Sequence, residues 1–167
     1  MKTVGWKDIA ELIGITAIVA SLIFVGLEMR QQQVLARAEL GSQSFEYMTS
    51  IRQAFSDPAF AGTYVKMLEN PGELTNAETA SLNGFYHELI QLVERDCYLV
   101  GLGVFSECTN TLNRFYPEYF GNQFAKNWWR STRGIYRAGL VERISPVIEQ
   151  LDNDVSHRYL DNGKSSP

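Results

Sequence analysis

The stretch Leu12–Leu27 (LIGITAIVASLIFVGL) carries no charged residue and is bracketed by Glu11 and Glu28. A helix rises about 1.5 Å per residue, so this run covers roughly 24 Å against a bilayer hydrocarbon core of about 30 Å. Extending it from Ile9 to Met29 closes the gap if Glu11 and Glu28 reach the headgroups, and Trp6 stands where an interfacial anchor would. Leu, Ile, Val and Phe occupy every side of such a helix, the pattern of a segment surrounded by apolar matter. The segment reads as a membrane span; the competing reading is the buried helix of a soluble domain. A secretory leader is the third reading, because Ala36-Arg37-Ala38 looks like a cleavage site and Lys2 and Lys7 like a basic leading region. Glu28, Met29, Arg30 and three glutamines separate that site from the apolar run, so the segment is expected to be retained.

Within the run, Ala10, Gly14, Ala17 and Ser21 recur at spacings of four, three and four. This places small side chains along one stripe, where a second helix can approach closely in lipid. Small residues are also frequent in spans without any such contact.

Beyond this helix about 140 residues remain, enough for one domain with a core of its own. The net charge of −4 argues against a dedicated nucleic-acid binder, whose domain would be basic. Charge is unevenly placed. Between Asp57 and Glu107 acids far outnumber the bases Lys66 and Arg95, whereas between Lys126 and Arg143 five bases face only Glu142. One half therefore has the charge to pack on the other, within a chain or between chains. Two cysteines, Cys97 and Cys108, are too few for a disulfide scaffold and lack zinc-site partners. A bridge across one turn is geometrically open to them, but free thiols are expected.

From Glu28 to Ser56 there is no proline, and Val34, Ala38, Gly41, Phe45, Met48, Arg52 and Phe55 alternate spacings of four and three. That seam predicts a helix whose inward face belongs to the domain, in preference to a stalk of about fifty residues. Asp57-Pro58 predicts an N-cap and a first helical position, with the helix ending near Glu69 at the turn Asn70-Pro71-Gly72. Thr75-Asn76-Ala77-Glu78 is a capping box opening a helix to about Val100, its inward stripe being Leu82, Phe85, Tyr86, Leu89, Leu92, Val93 and Cys97. Gly101 and Gly103 end it. A helix from Ser106 to about Tyr116 follows, with Leu112, Phe115 and Tyr119 inward, and Gly121-Asn122 breaks it. The next helix is expected over Gln123–Arg137, with Gly139 as its stop. Ser145-Pro146 would start a last short helix through Leu151.

Catalytic provision is thin. His87, Gln91 and Glu94 share a helix face, but a di-iron bundle needs Glu-x-x-His pairs on two helices and zinc needs three or four good ligands. His87 is therefore expected at the surface or in helix packing. No nucleophile elbow, phosphate loop or dinucleotide fingerprint is present. No catalytic residue, metal ligand or cofactor is assigned. The strongest candidate is the line Lys126, Arg130, Arg133 and Arg137, at spacings of four, three and four, opposite Phe124, Trp128 and Ile135. Such a helix suits an acidic partner inside the protein, an anionic lipid surface, or an anionic ligand or partner protein.

The stretch IAELIGITAIVASLIFVGLEMRQQ, the turn Gly-Leu-Gly-Val-Phe-Ser, the pair Trp128-Trp129 after Asn127 and the late Ser145-Pro146 to Leu151-Asp152 segment resemble a group of short bacterial proteins with an N-terminal membrane helix and an α-helical remainder. The resemblance implies anchoring and an all-α fold; it brings no activity, cofactor or site residue.

The sequence thus leads to an all-α protein: a transmembrane helix within residues 1–30, a bundle of about five helices over 31–160, and a disordered tail at 161–167. Its expected role is that of a non-enzymatic interaction or assembly subunit of the bacterial inner membrane, self-associating or bound to a membrane-protein partner. The unpaired cysteines point to a cytosolic domain, while Lys2 and Lys7 balance Arg30 and Arg37 in the positive-inside count. The alternative role is a tethered sensor or carrier with an apolar or anionic ligand among Phe85, Tyr86, Phe115, Tyr119, Phe124 and Trp128.

Overall fold

The structure, a computed structural model, describes residues 5–108 and 117–162. Among these residues every regular element is helical: α1 (Trp6–Ala54), α2 (Pro58–Glu69), α3 (Asn76–Gly101), α4 (Gln123–Thr132), α5 (Ala138–Gln150) and α6 (Val155–Asn162), with short 3₁₀ turns at Pro71–Glu73 and Arg133–Ile135. The all-α expectation holds. The chain divides into two units, Met1–Leu40 and Gly41–Pro167, so the division falls inside α1.

In the first unit the apolar helix buries nothing against protein. Leu12, Ile18, Leu22, Ile23 and Phe24 are each at least 60 % exposed.

In the second unit, α1 contributes Ser44 and Ile51 as buried residues and Gly41 and Met48 as half-buried ones, and Phe55, just past its end, is half-buried too. The long uninterrupted helix forms after all; of the expected seam Val34 and Ala38 are exposed, and within the second unit its inward face differs at two places. Phe45 and Arg52 turn outward, and Ser44 and Ile51 replace them. The observed line 41, 44, 48, 51 and 55 keeps the same seven-residue period and lies on the other side of Gly41 and Met48 from the expected one.

The helix starts follow their local chemistry. Asp57 accepts from the Ala59 N–H at 2.9 Å, with Pro58 as the first helical residue. At α3 the Thr75 hydroxyl accepts from the Glu78 N–H at 3.2 Å, and the Glu78 carboxylate accepts from the Thr75 N–H at 2.7 Å. The far end of α3 closes through the Val104 N–H to the Leu99 carbonyl and the Gly103 N–H to the Val100 carbonyl. Gly103 holds φ +69°, the left-handed conformation this termination requires.

Three expected boundaries move. The helix from Gln123 ends at Thr132, Gly139 lies in the first turn of α5, and Pro146 sits inside α5. The helix α6 occupies a stretch assigned to no element, and Asp161 and Asn162, expected in the tail, belong to it. The expected helix to Tyr116, with Leu112 and Phe115, falls largely outside the described residues.

The core gathers Trp129, Tyr86, Phe120, Met67, Leu82, Ile90, Ile144 and Ile148, all fully buried. Phe85 is the centre of an aromatic cluster, with the rings of Phe55, Phe60, Tyr64, Tyr86 and Tyr119 all within 6.1 Å of its own. Of the aromatics suggested for a ligand cavity, Phe85, Tyr86 and Trp128 are buried in this core, Tyr119 and Phe124 pack against it, and Phe115 lies outside the described residues.

The Thr75 N–H, and after it the Lys66 ammonium, hold the Glu78 carboxyl down at about 2. Its stabilising contribution is complete above the unfolded value of about 4.3 and is lost as pH falls from there through about 2. Thermal unfolding of a Glu78→Gln variant should therefore show a lowered midpoint at neutral pH. The difference from the parent should close as pH is taken from 4.5 towards 2.

Candidate functional site

Two surfaces stand out, one in each unit. The first is the α1 segment Leu12–Leu27, where the small-residue stripe Ala10, Gly14, Ala17 and Ser21 is fully on the surface. A Cβ added at Gly14 meets nothing within 4 Å. One helix here is long and apolar enough to cross a membrane.

The second is a groove of about 610 Å³ between α3 and the start of α5. From α3 come Gln91, Glu94, Arg95 and Tyr98, at i, i+3, i+4 and i+7, with Cys97 beside them; from α5 and its cap come Arg137, Gly139, Leu140 and Arg143. Leu140 is buried, whereas Tyr98 is 65 % exposed. Arg137 forms an ion pair with Glu94, its Nε 3.3 Å from Oε1. Arg95 donates to Gln43 Oε1 at 3.1 Å, and its guanidinium lies 4.8 Å from the centre of the Tyr47 ring. No ion pair among the described residues engages Arg143. At the N-terminus of α5 no side chain caps the helix, and its first turn holds no acid.

The line of four bases does not survive folding as one surface. Because α4 ends at Thr132, Arg133 falls in the 3₁₀ turn and Arg137 at the cap of α5. Lys126, expected on the solvated face, is buried, and its ammonium donates to the Leu151 carbonyl at the end of α5. Arg130 makes a two-pronged pair with Glu149 of α5. That hydrogen bond holds the Glu149 carboxyl below its ordinary value, with the charges of Lys126 and Arg133 adding to it. Arg137 alone reaches the acidic Asp57–Glu107 region, through Glu94. On the apolar side, Trp129 rather than Ile135 is the buried residue: Ile135 is 71 % exposed.

His87 belongs to helix packing. Its Nδ1 shares a hydrogen bond with the Tyr136 hydroxyl, and its ring meets Trp128 edge-on at 5.1 Å. Burial, and then the charge of Glu94, push the Tyr136 phenol up to about 12. Among the described residues no three of His, Cys, Asp and Glu gather as a metal site.

The cysteines correct the expectation of free thiols: Cys97 and Cys108 form a disulfide across the turn that ends α3. The sequence placed them eleven residues apart without showing that Gly103 would bring the chain back. The groove was equally hidden, although the Gln91–Tyr98 spacing already marks one polar face on α3. Compared with known proteins, the chain matches no family, no curated protein and no solved structure.

Closing a loop of this length restricts the unfolded chain, and the bridge should contribute ~3 kcal/mol on the loop-entropy estimate. Denaturant unfolding with and without a phosphine reductant should show that difference. The Cys97→Ser/Cys108→Ser double variant should match the reduced protein.

Proposed function

We propose that this chain is a membrane-anchored, non-enzymatic helical protein that acts as an interaction or assembly subunit and associates with itself through α1. The carrying observation is the bare apolar surface of Leu12–Leu27. Each large aliphatic side chain left in water forgoes roughly 1.5–3 kcal/mol of burial, and no described residue of their own unit covers these. A bilayer of the bacterial inner membrane supplies that cover along the whole segment. The open space at Gly14, in line with Ala10, Ala17 and Ser21, suits the close approach of a second copy.

The domain belongs on the oxidising face of that membrane. Disulfides persist outside the reducing cytosol, and the Cys97–Cys108 bridge removes the reason for a cytosolic domain.

An alkaline carbonate wash should leave the expressed protein in the membrane fraction; release of the full-length chain would overturn anchoring. Protease added to intact spheroplasts should digest the helical domain, and protection until lysis would restore the cytosolic orientation. Self-association has its own test. Gly14→Leu with Ala17→Leu should weaken cross-linking in detergent about tenfold while retention after the wash is unchanged. An unaltered cross-linking ladder would remove the α1 contact.

A further inference from the structure

We propose that the cavity between the end of α1, α2, the helical turn 117–120 and α6 binds a small organic cation, a primary ammonium on an apolar body, with the Glu118 carboxylate as its counter-charge. The cavity measures about 320 Å³, the small end of the range for ligand sites, and its described lining lies wholly in the second unit. Phe55, Tyr64, Tyr119 and Leu160 supply apolar walls. Three of these fix one another: the Phe55 ring meets Tyr64 edge-on at 5.0 Å and stacks on Tyr119 at 5.9 Å. The walls thus stand before any guest arrives, which spares binding the cost of ordering them.

The polar groups at the cavity differ in how they are engaged. The Tyr64 hydroxyl donates to the Glu118 carbonyl at 3.1 Å, and the Ser156 hydroxyl accepts from the Asn122 amide at 3.2 Å. The Glu118 side chain is half-buried, and no described residue donates a hydrogen bond to its carboxylate. Burial pushes the Glu118 carboxyl above its ordinary value, and the charge of Arg52, also in the lining, opposes this only in part. Arg52 is exposed, so solvent screens its charge. What the carboxylate lacks is a positive donor approaching from within the cavity, on the side where it has lost water.

An ammonium group meets that demand, since it carries three donors on one compact charge. The rings of Phe55, Tyr64 and Tyr119 favour the same sign, because an aromatic ring is negative over its face. An anion would gain only the screened charge of Arg52 and would be opposed by Glu118. A neutral guest would bury the carboxylate further without pairing it. The apolar body of the cation completes the fit by packing on Leu160 and the rings.

Full-length protein in an uncharged maltoside detergent is titrated, by ligand-observed NMR, with phenethylamine and isoamylamine. Phenethyl alcohol and hydrocinnamate serve as the neutral and anionic counterparts. Both amines should bind saturably, phenethylamine should bind at least tenfold more tightly than the alcohol, and hydrocinnamate should not bind. Glu118→Gln should bring phenethylamine to the affinity of phenethyl alcohol while the alcohol's own affinity holds, a split that a loss of folding cannot imitate. Leu160→Trp should abolish binding of both by filling the cavity. Glu88→Gln, which removes an exposed acid outside the cavity, should bind as the parent does. Absence of saturable binding by both amines overturns the proposal, as does equal affinity for phenethylamine and its alcohol. Amine binding that Glu118→Gln leaves intact, or weakens no more than Glu88→Gln does, overturns it too.

Discussion

The second unit depends on how it buries the backbone of residues 118–122. A carbonyl taken out of water without a donor costs about 1–3 kcal/mol, and three carbonyls lie close together here. The Tyr64 hydroxyl donates to Glu118 at 3.1 Å, the Tyr86 hydroxyl and the Asn122 amide donate to Tyr119 at 3.2 and 2.8 Å, and the Ser156 N–H donates to Gly121 at 3.2 Å. Each donor comes from a different part of the fold: α2, α3, the cap of α4 and the first turn of α6. Satisfying one short segment thus fixes four elements at once. Gly121 is required by the same crowding. A Cβ there would stand 2.6 Å from both the Pro117 carbonyl oxygen and the Val155 side chain. Burial of Tyr64 and Tyr86 raises the pKa of both phenols, so they stay neutral donors across the physiological range.

A single helix, α1, carries two different surface patterns. Between Gly41 and Ala54 it has one buried line and polar flanks, the pattern of a helix packed on a core. Before Leu40 no side is distinguished from another, and Thr16 turns its hydroxyl onto the Leu12 carbonyl at 2.8 Å. Thr49 and Thr63 make the same bond to the carbonyls of Phe45 and Ala59 in the second unit. The change of pattern along one continuous helix, rather than a break in it, is what separates the apolar segment from the domain.

What was legible in the sequence is what acts within one turn. Asp57-Pro58 and Thr75–Glu78 specify their helix starts through bonds two or three residues long, so no knowledge of the fold is needed to read them. Lys126 shows the opposite case. Its spacing from Arg130 and Arg133 says nothing of the Leu151 carbonyl, which lies 25 residues away and draws its ammonium inward. The helix α6 was missed for a related reason. Its sequence is polar, and what places it is Ser156, whose hydroxyl accepts from the Asn122 amide at 3.2 Å. The stripe of four bases was a projection of a helix that Thr132 ends. Once the chain turns at Arg133–Ile135, Arg137 joins Arg143 and Arg95, a grouping set by helix packing and by no spacing along the chain.

The end of α3 ties these consequences together. Gly103 in the left-handed conformation reverses the chain, and Val104 then packs toward α1: a Cβ at Gly41 would lie 3.9 Å from it. The same reversal brings buried Cys108 back to Cys97, one turn of helix away from Glu94 and adjacent to Tyr98. The bridge therefore restrains the last turns of the helix that forms one wall of the groove. A helix end ordinarily frays, because its final carbonyls lack partners within the helix. Here the Val104 and Gly103 N–H groups supply those partners and the disulfide keeps them in register. A wall so fixed presents Tyr98 and Arg95 in one arrangement, so the order of the groove derives from a covalent link outside it.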